Sequence, residues 1–250
     1  MTTHLEIASP VGGPLAGRSV AAGTGAMFDR IAPRYDLVNR IMTLGIDQRW
    51  RRKTIDGLQC RAGARVLDLA TGTADLAILA ANRIPNATVV GIDPSLAMLQ
   101  VGQGKLKQRG LLGRVSLQTG DACAIDLPDA SVDGVTMGFG IRNVADRAKA
   151  LREIARVLKP GARVAILEAT EPQGWLGLGA RWHLRVVVPR LGALVAAAPE
   201  YRYLQQSVAD FPLPARFAEI MAGSGLRVLR VEPFLFGVAH LFVATPSQDR

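Results

Sequence analysis

The chain has 250 residues, 49% hydrophobic and 20% charged, with 26 Gly and 14 Pro, a composition that excludes a disordered or fibrous protein and fits one α/β domain with additions. Two cysteines, Cys60 and Cys123, and three histidines exclude a disulfide framework and an ordinary zinc cluster, so no metal site is expected, and they point to a reducing compartment. The formal charge of +9 is unevenly placed: +5 over residues 27–65, +3 over 175–250, +1 over 66–174 and zero over 1–26. Such an excess admits a nucleic-acid reader, contact with anionic lipid head groups, or a solvated basic surface without a ligand.

Residues 1–26 lack the basic start and apolar run of a signal peptide and read as a flexible tail. From Met27 to about residue 61, apolar residues at helical spacing (Ile31, Tyr35, Val38, Ile41, Met42) predict two helices broken near Gly45, with Pro33 at a first turn or a kink. The period then changes. ARVLDLA is a strand, TGTAD a tight turn and LAILAANRI a helix; ATVVGIDP is a second strand, followed by a helix with Ser95 as its cap. RVSLQTGDA and ASVDGVTMGFG are further strands, VADRAKALREIARVL is a helix stopped at Pro160-Gly161, and ARVAILEAT is a fifth strand. LRVLRVEPF and VAHLFVATP, near the end, read as an antiparallel pair.

Strands alternating with helices imply a doubly wound, mostly parallel α/β sheet, Rossmann-like, of seven strands with an antiparallel last hairpin. On this reading 27–61 form a helical lid, 62–171 a cofactor-binding core, 172–225 a helical cap and 226–250 the terminal strands. The most apolar run, 186–198, is broken by Pro189, Arg190 and Gly192 and is too short to span a bilayer.

In such a sheet the ligand sits beyond the carboxyl ends of the strands, beside the first strand–turn–helix. Gly72 and the small Ala74 allow close backbone approach there, and Asp93, 21 residues on, can accept hydrogen bonds from ribose hydroxyls. A pyrophosphate calls for a three-glycine turn, whereas here Ala74 and Ala77 stand in the later glycine positions and Asp68 and Asp75 flank the turn. Acid suits a cation, so the sulfonium of S-adenosylmethionine fits better than a dinucleotide. Asp121, with Ala122 beside it, can bond an adenine amine, or Asp121 is a plain turn residue.

VLDLATGTADLA, VVGIDPSLAML, GDACAIDLPDASVDGVTM and ALREIARVLKPGARVAILE together resemble the class I S-adenosylmethionine methyltransferases. MFDRIAPRYDLVNRIMTLGIDQRWRRK, FGIRNVADRAKALRE, PRLGALVA and YRYLQQSVADFP are similar to the ubiquinone/menaquinone biosynthesis C-methyltransferase family, over about residues 27–245. The resemblance implies methylation of a ring carbon of a polyprenylated quinol, with S-adenosyl-L-methionine as cofactor. It implies cofactor contacts from Thr73 of the glycine turn, Asp93 at the ribose and Asp121 with Ala122 at the adenine. The chain departs from the family pattern at Ala74, Gly138, Val186 and the 168–172 segment, and the last two bear on the choice of quinone.

Ring methylation needs an electron-rich carbon beside an ionised phenol, close positioning of the two substrates, and a route for a proton. Arg142 and Asn143 follow the fourth strand, where the substrates should meet; they are expected to stabilise a phenolate or orient a relay water, unless Arg142 merely pairs with Asp146. Tyr35 is expected to close over the substrate or to be core, and Tyr201 and Tyr203 line a ring pocket or pack. His183 and His240 get no catalytic part. The 175–198 stretch, with Trp175, Trp182, Arg181 and Arg185, is read as a groove for a prenyl tail resting on an anionic membrane surface, or as a homodimer face. The expected partner is a lipophilic quinol rather than nucleic acid, because the arginine-rich 49–53 segment holds Trp50 as its one aromatic. A cytoplasmic protein peripheral to the inner membrane face is the location this implies. Another phenolic acceptor is the alternative enzyme reading.

Overall fold

The computed structural model describes residues 24–43, 45–172 and 198–247. The 175–197 stretch, with His183 and Val186, and most of the 1–26 tail lie outside the described residues, as does the Tyr201 side chain.

Seven strands form one sheet: β1 (Arg65–Leu69), β2 (Thr88–Asp93), β3 (Val115–Thr119), β4 (Val132–Gly138), β5 (Leu158–Ala169), β6 (Leu226–Phe234) and β7 (Ala239–Pro246), in the order β3-β2-β1-β4-β5-β7-β6. β1 to β5 are mutually parallel, and β7 runs antiparallel to both β5 and β6. The order reverses at β1, between β2 and β4, which opens a crevice there on the carboxyl side. This is the doubly wound sheet with an antiparallel last pair that the residue pattern predicts.

The helices follow from the same alternation. α1 (Thr24–Ile31) and α2 (Tyr35–Thr43) meet at a 3-10 turn, Ala32–Arg34, and α3 is Asp47–Leu58. The single break expected near Gly45 is therefore joined by a second at Pro33, where the ring fixes φ and removes a donor. α4 (Asp75–Arg83), α5 (Leu96–Gln108), α6 (Arg147–Val157), α7 (Ala198–Ala209) and α8 (Pro214–Gly223) complete the described helices. Ser95 caps α5, its Oγ accepting from Met98 N at 3.2 Å. Pro160 and Gly161 lie inside β5 rather than in a connection, since the strand starts at Leu158 directly from α6.

Both faces of the sheet are covered. Ala165, Leu167, Leu241 and Val243 pack with α3 and α4, while Val164, Ile166, Phe242 and Ala244 pack with α6 and α8. Alternate residues of β5 and β7 thus serve opposite cores, as the two-residue strand period requires. Buried on both sides, the sheet holds the loops at its carboxyl end in fixed relation. Among the described residues no helix is long and apolar enough to cross a membrane.

Candidate active site

The β1–α4 turn is the pivot. Ala70, Gly72 and Ala74 take φ of 49°, 55° and 67°, a left-handed path that glycine adopts freely and alanine only at a cost on the order of 1 kcal/mol. Neighbouring glycines let other strands close on it. A Cβ at Gly91 would lie 2.8 Å from Thr71 Oγ1, and one at Gly140 would lie 2.5 Å from Ala70 Cβ.

Beside this turn opens a cleft continuous with solvent. Its walls come from every loop at the carboxyl ends of β1 to β4: Gly72, Asp93, Asp121 with Ala122, and Gly138 to Gly140. Asn143 closes the inner end, and Phe28 and Tyr35 close it from α1 and α2. These two rings meet edge-on at 6.2 Å.

Asp93 accepts from Gly72 N at 2.8 Å and from Ser95 N at 2.9 Å. Burial raises its pKa against these two backbone donors, and the nearby charge of Asp29 adds to the rise. Asp29 itself accepts from Ser95 Oγ at 2.6 Å, so α1 is tied to the residue that holds Asp93. Asp121 accepts from Cys123 N at 2.8 Å, a local turn bond that aligns the loop after β3.

Three of the expected residues support the cleft from behind rather than line it. Asp68 is buried, with Thr71 Oγ1 donating to one oxygen at 2.6 Å and Thr136 Oγ1 to the other at 2.7 Å. Burial pushes its carboxyl up to about 6 in spite of those bonds. Thr73 donates to Asp36 at 2.6 Å and receives Lys105 Nζ at 3.0 Å. Its hydroxyl is thereby taken up by α2 and α5.

Arg142 is the third. The proposed pairing with Asp146 does not occur: Asp146 caps α6 through Lys149 N at 2.8 Å. Arg142 Nη1 instead donates to Glu168 at 2.7 Å, and Arg142 N donates to the other Glu168 oxygen at 3.1 Å. Glu168 is fully buried and the Arg142 side chain only 6% exposed. Burial opposes the guanidinium charge, but Glu168, Tyr35 and Tyr203 act electrostatically to raise its pKa. Its Nε is buried without a hydrogen-bond partner.

Asn143 stands beside this pair and accepts from Tyr203 Oη at 2.9 Å, joining α7 to the turn after β4. His240 sits against Thr170, Nδ1 to Oγ1 2.7 Å, with its pKa lowered by burial, and is the β7 register partner of Glu168. Sequence reasoning missed Glu168 as the partner of Arg142 and Phe28 as a wall. It also missed the latch in which Lys105 bonds Asp36 at 2.8 Å and pairs with Asp75. An acid at the end of β5 was visible, but nothing local says which base it meets. Among the described residues there is no cluster of side chains fit to hold a metal ion.

The pattern of the ubiE/COQ5 methyltransferase family matches residues 19–245. The chain is 46% identical over 219 residues to a demethylmenaquinone methyltransferase of Thermus thermophilus, covering 87% of this chain and 98% of that protein. It is 42% identical to a demethylmenaquinone methyltransferase of Deinococcus radiodurans (87% and 90% covered), and 40% identical to the ubiquinone/menaquinone biosynthesis C-methyltransferase UbiE of Geobacter sulfurreducens (86% and 85%). Among solved structures, the [4+2]-cyclase SpnF superposes with a TM-score of 0.66 at 17% identity, covering 89% of this chain and 95% of SpnF. An S-adenosylmethionine-dependent methyltransferase of Aquifex aeolicus gives 0.58 at 22% identity (78% and 88%). Likeness at these identities speaks for the fold; sequence identity over nearly whole chains speaks for the family. The chain belongs to the ubiE/COQ5 methyltransferase family and is an S-adenosylmethionine-dependent methyltransferase.

Proposed function

We propose that this enzyme methylates a ring carbon of a demethylmenaquinol, a hydroquinone carrying a prenyl chain. The observation that carries the reading is one cleft walled by a ribose-type acid, Asp93, and by Asn143, with the buried Arg142–Glu168 pair packed behind that wall. Names of relatives alone leave the acceptor between menaquinol and ubiquinol precursors; the two relatives of highest identity cited above are named for the former.

The cleft fits the cofactor. Asp93 presents a carboxylate at the end of β2, where ribose hydroxyls can donate, Asp121 offers an acceptor for an amine, and Gly72 leaves the backbone uncovered. When bound, the cofactor supplies a methyl group activated on a sulfonium sulfur.

The protein's own part is positioning and charge. Phe28 and Tyr35 wall the cleft from α1 and α2, and holding the two substrates against such a wall raises their effective concentration. Glu168 holds Arg142 in one orientation behind the cleft wall, where its positive charge favours a phenolate in the cleft and its buried Nε is a donor for a relay water. Ionisation of the hydroxyl drives electron density onto the neighbouring ring carbon. Asn143, itself fixed by Tyr203, orients that same oxygen. The ring proton leaves after transfer through a water held by these groups, since among the described residues no histidine lines the cleft.

The test is direct. Purified enzyme with methyl-labelled cofactor and demethylmenaquinol should yield ring-methylated menaquinol by mass spectrometry. Transfer to another phenol or to RNA, with none to the quinol, would overturn the reading.

A further inference from the structure

We propose that the β6–β7 turn and the first turns of α3 form the surface by which this enzyme docks on an anionic bilayer to take up its acceptor; the inference rests on the prenyl-quinol reading above. Leu235 and Phe236 form that turn, 48% and 61% exposed. Both have left-handed backbones, with φ of 42° and 57°. Bulky L-residues disfavour this conformation, and glycine or asparagine would ordinarily occupy such a turn. An exposed turn that keeps Leu and Phe against both backbone and solvation preference indicates a surface used for contact.

Its place in the fold gives the contact a purpose. Ala239 pairs with Ala169 at the carboxyl end of β5, and Thr170 N and Oγ1 donate to Val238 O and Gly237 O at 2.9 and 2.8 Å. The tip therefore projects from the end of the sheet that holds the cleft, one residue beyond the strand carrying Glu168.

Basic charge lies beside it. Trp50 of α3 stacks on Phe234 at 5.7 Å, and Lys53 Nζ lies 5.3 Å over the same ring. The start of α3 faces the same end of the sheet, since the Arg51 guanidinium lies over the Phe139 ring just past β4. Lys53 pairs with Glu232, whereas Arg49 and Arg52 are exposed beside it and supply the basic charge, in the segment that carries the largest share of the +9 charge.

An apolar tip flanked by cations complements a head-group layer over an acyl region: the tip inserts and the bases meet phosphate. A second copy of the chain would bring like charges against these bases. The two-residue tip is also far short of the roughly 800 Å² per partner that a stable protein interface buries.

The test uses vesicles of phosphatidylcholine with and without phosphatidylglycerol, and the full chain. The parent should co-sediment with the anionic vesicles and lose most binding at high salt. Leu235→Ser/Phe236→Ser should weaken binding about tenfold or more, and Arg49→Gln/Arg52→Gln should remove most of the dependence on anionic lipid. Cofactor affinity, measured by calorimetry, and turnover of a demethylnaphthoquinol without a prenyl tail should stay at the parent's level in both. Equal vesicle binding by the parent and the tip variant overturns the proposal. So does a parent that ignores anionic vesicles, or a tip variant that loses only self-association in sedimentation. Failure of the parent to methylate the tail-free quinol would instead count against the acceptor, separating that outcome from failure of the docking surface.

Discussion

The two halves of the cleft are built on different principles. On the side proposed for the cofactor, Asp93 is held by Gly72 and Ser95, neighbours in one strand–turn–helix unit and the strand that follows it. On the side proposed for the acceptor, Arg142 is held by Glu168, 26 residues on and one strand across, and Asn143 by Tyr203, 60 residues on. One half is a local motif supported by backbone N–H groups; the other is a set of side chains brought together by the sheet and the cap. A local motif carries its chemistry wherever the fold recurs, whereas a long-range set can change with any element that supplies a member. The methyltransferase fold of SpnF, a cyclase by name, illustrates that a shared scaffold leaves the reaction open.

The strongest way to break the acceptor half is Glu168→Ala, which strands a buried guanidinium. Urea unfolding should show a loss of about 3–5 kcal/mol. The double change Arg142→Met/Glu168→Leu should recover much of that stability while leaving turnover low, because packing replaces the pair and the donor is gone. Recovered turnover would show that the pair is structural alone.

Next in size is the cofactor half. Asp93→Ala removes a charged acceptor and releases two backbone donors, so cofactor affinity should fall by about 10- to 100-fold by calorimetry, on the order of 1.5–3 kcal/mol. Arg142→Ala should leave that affinity within about twofold and lower kcat instead. The pair of measurements tests the division of labour; equal losses of affinity in both would erase it.

A pH effect sharpens the contrast further. Asp68, beneath the glycine turn, titrates near about 6 in the fold against 3.8 as its ordinary value. Between those values the folded state binds the extra proton, so stability falls as pH rises through that window and is level above it. The loss is on the order of 2–3 kcal/mol. In Asp68→Asn this contribution should vanish, which unfolding measured from pH 4 to pH 7 will show. The smallest effect is expected at Ala74. Ala74→Gly relieves the strain at φ 67° but adds freedom to the unfolded chain, so stability should change by less than about 0.5 kcal/mol.

Strands, glycine turn, Asp93 and the loop of Asp121 were legible because each depends on near neighbours and on a periodicity of two or 3.6 residues. The break at Pro33 was legible as a kink for the same reason. The acceptor side was legible in its parts. Arg142, Asn143, Tyr35 and Tyr203 were all singled out, but Arg142 was set against Asp146, which is near in sequence, rather than Glu168, which is near in space. Thr73 and Asp68 were placed at the ligand, and the fold turns their side chains to Asp36 and Lys105 and to Thr71 and Thr136.

What the amino-acid sequence determined by itself is the alternation that makes a doubly wound sheet, the carboxyl end of that sheet where the cleft opens, and an acid, Asp93, that lines it. The partners of buried charges were decided only by the tertiary structure. A buried ion must find its counter-ion among groups that packing brings within about 3 Å, and strand order, not chain order, sets that list. The same holds for the +9 charge. Its location along the chain could be counted, but only the packing of α3 against the end of β6 puts Arg49 and Arg52 on the same side of the fold as an exposed Phe236, at the end of the sheet that holds the cleft.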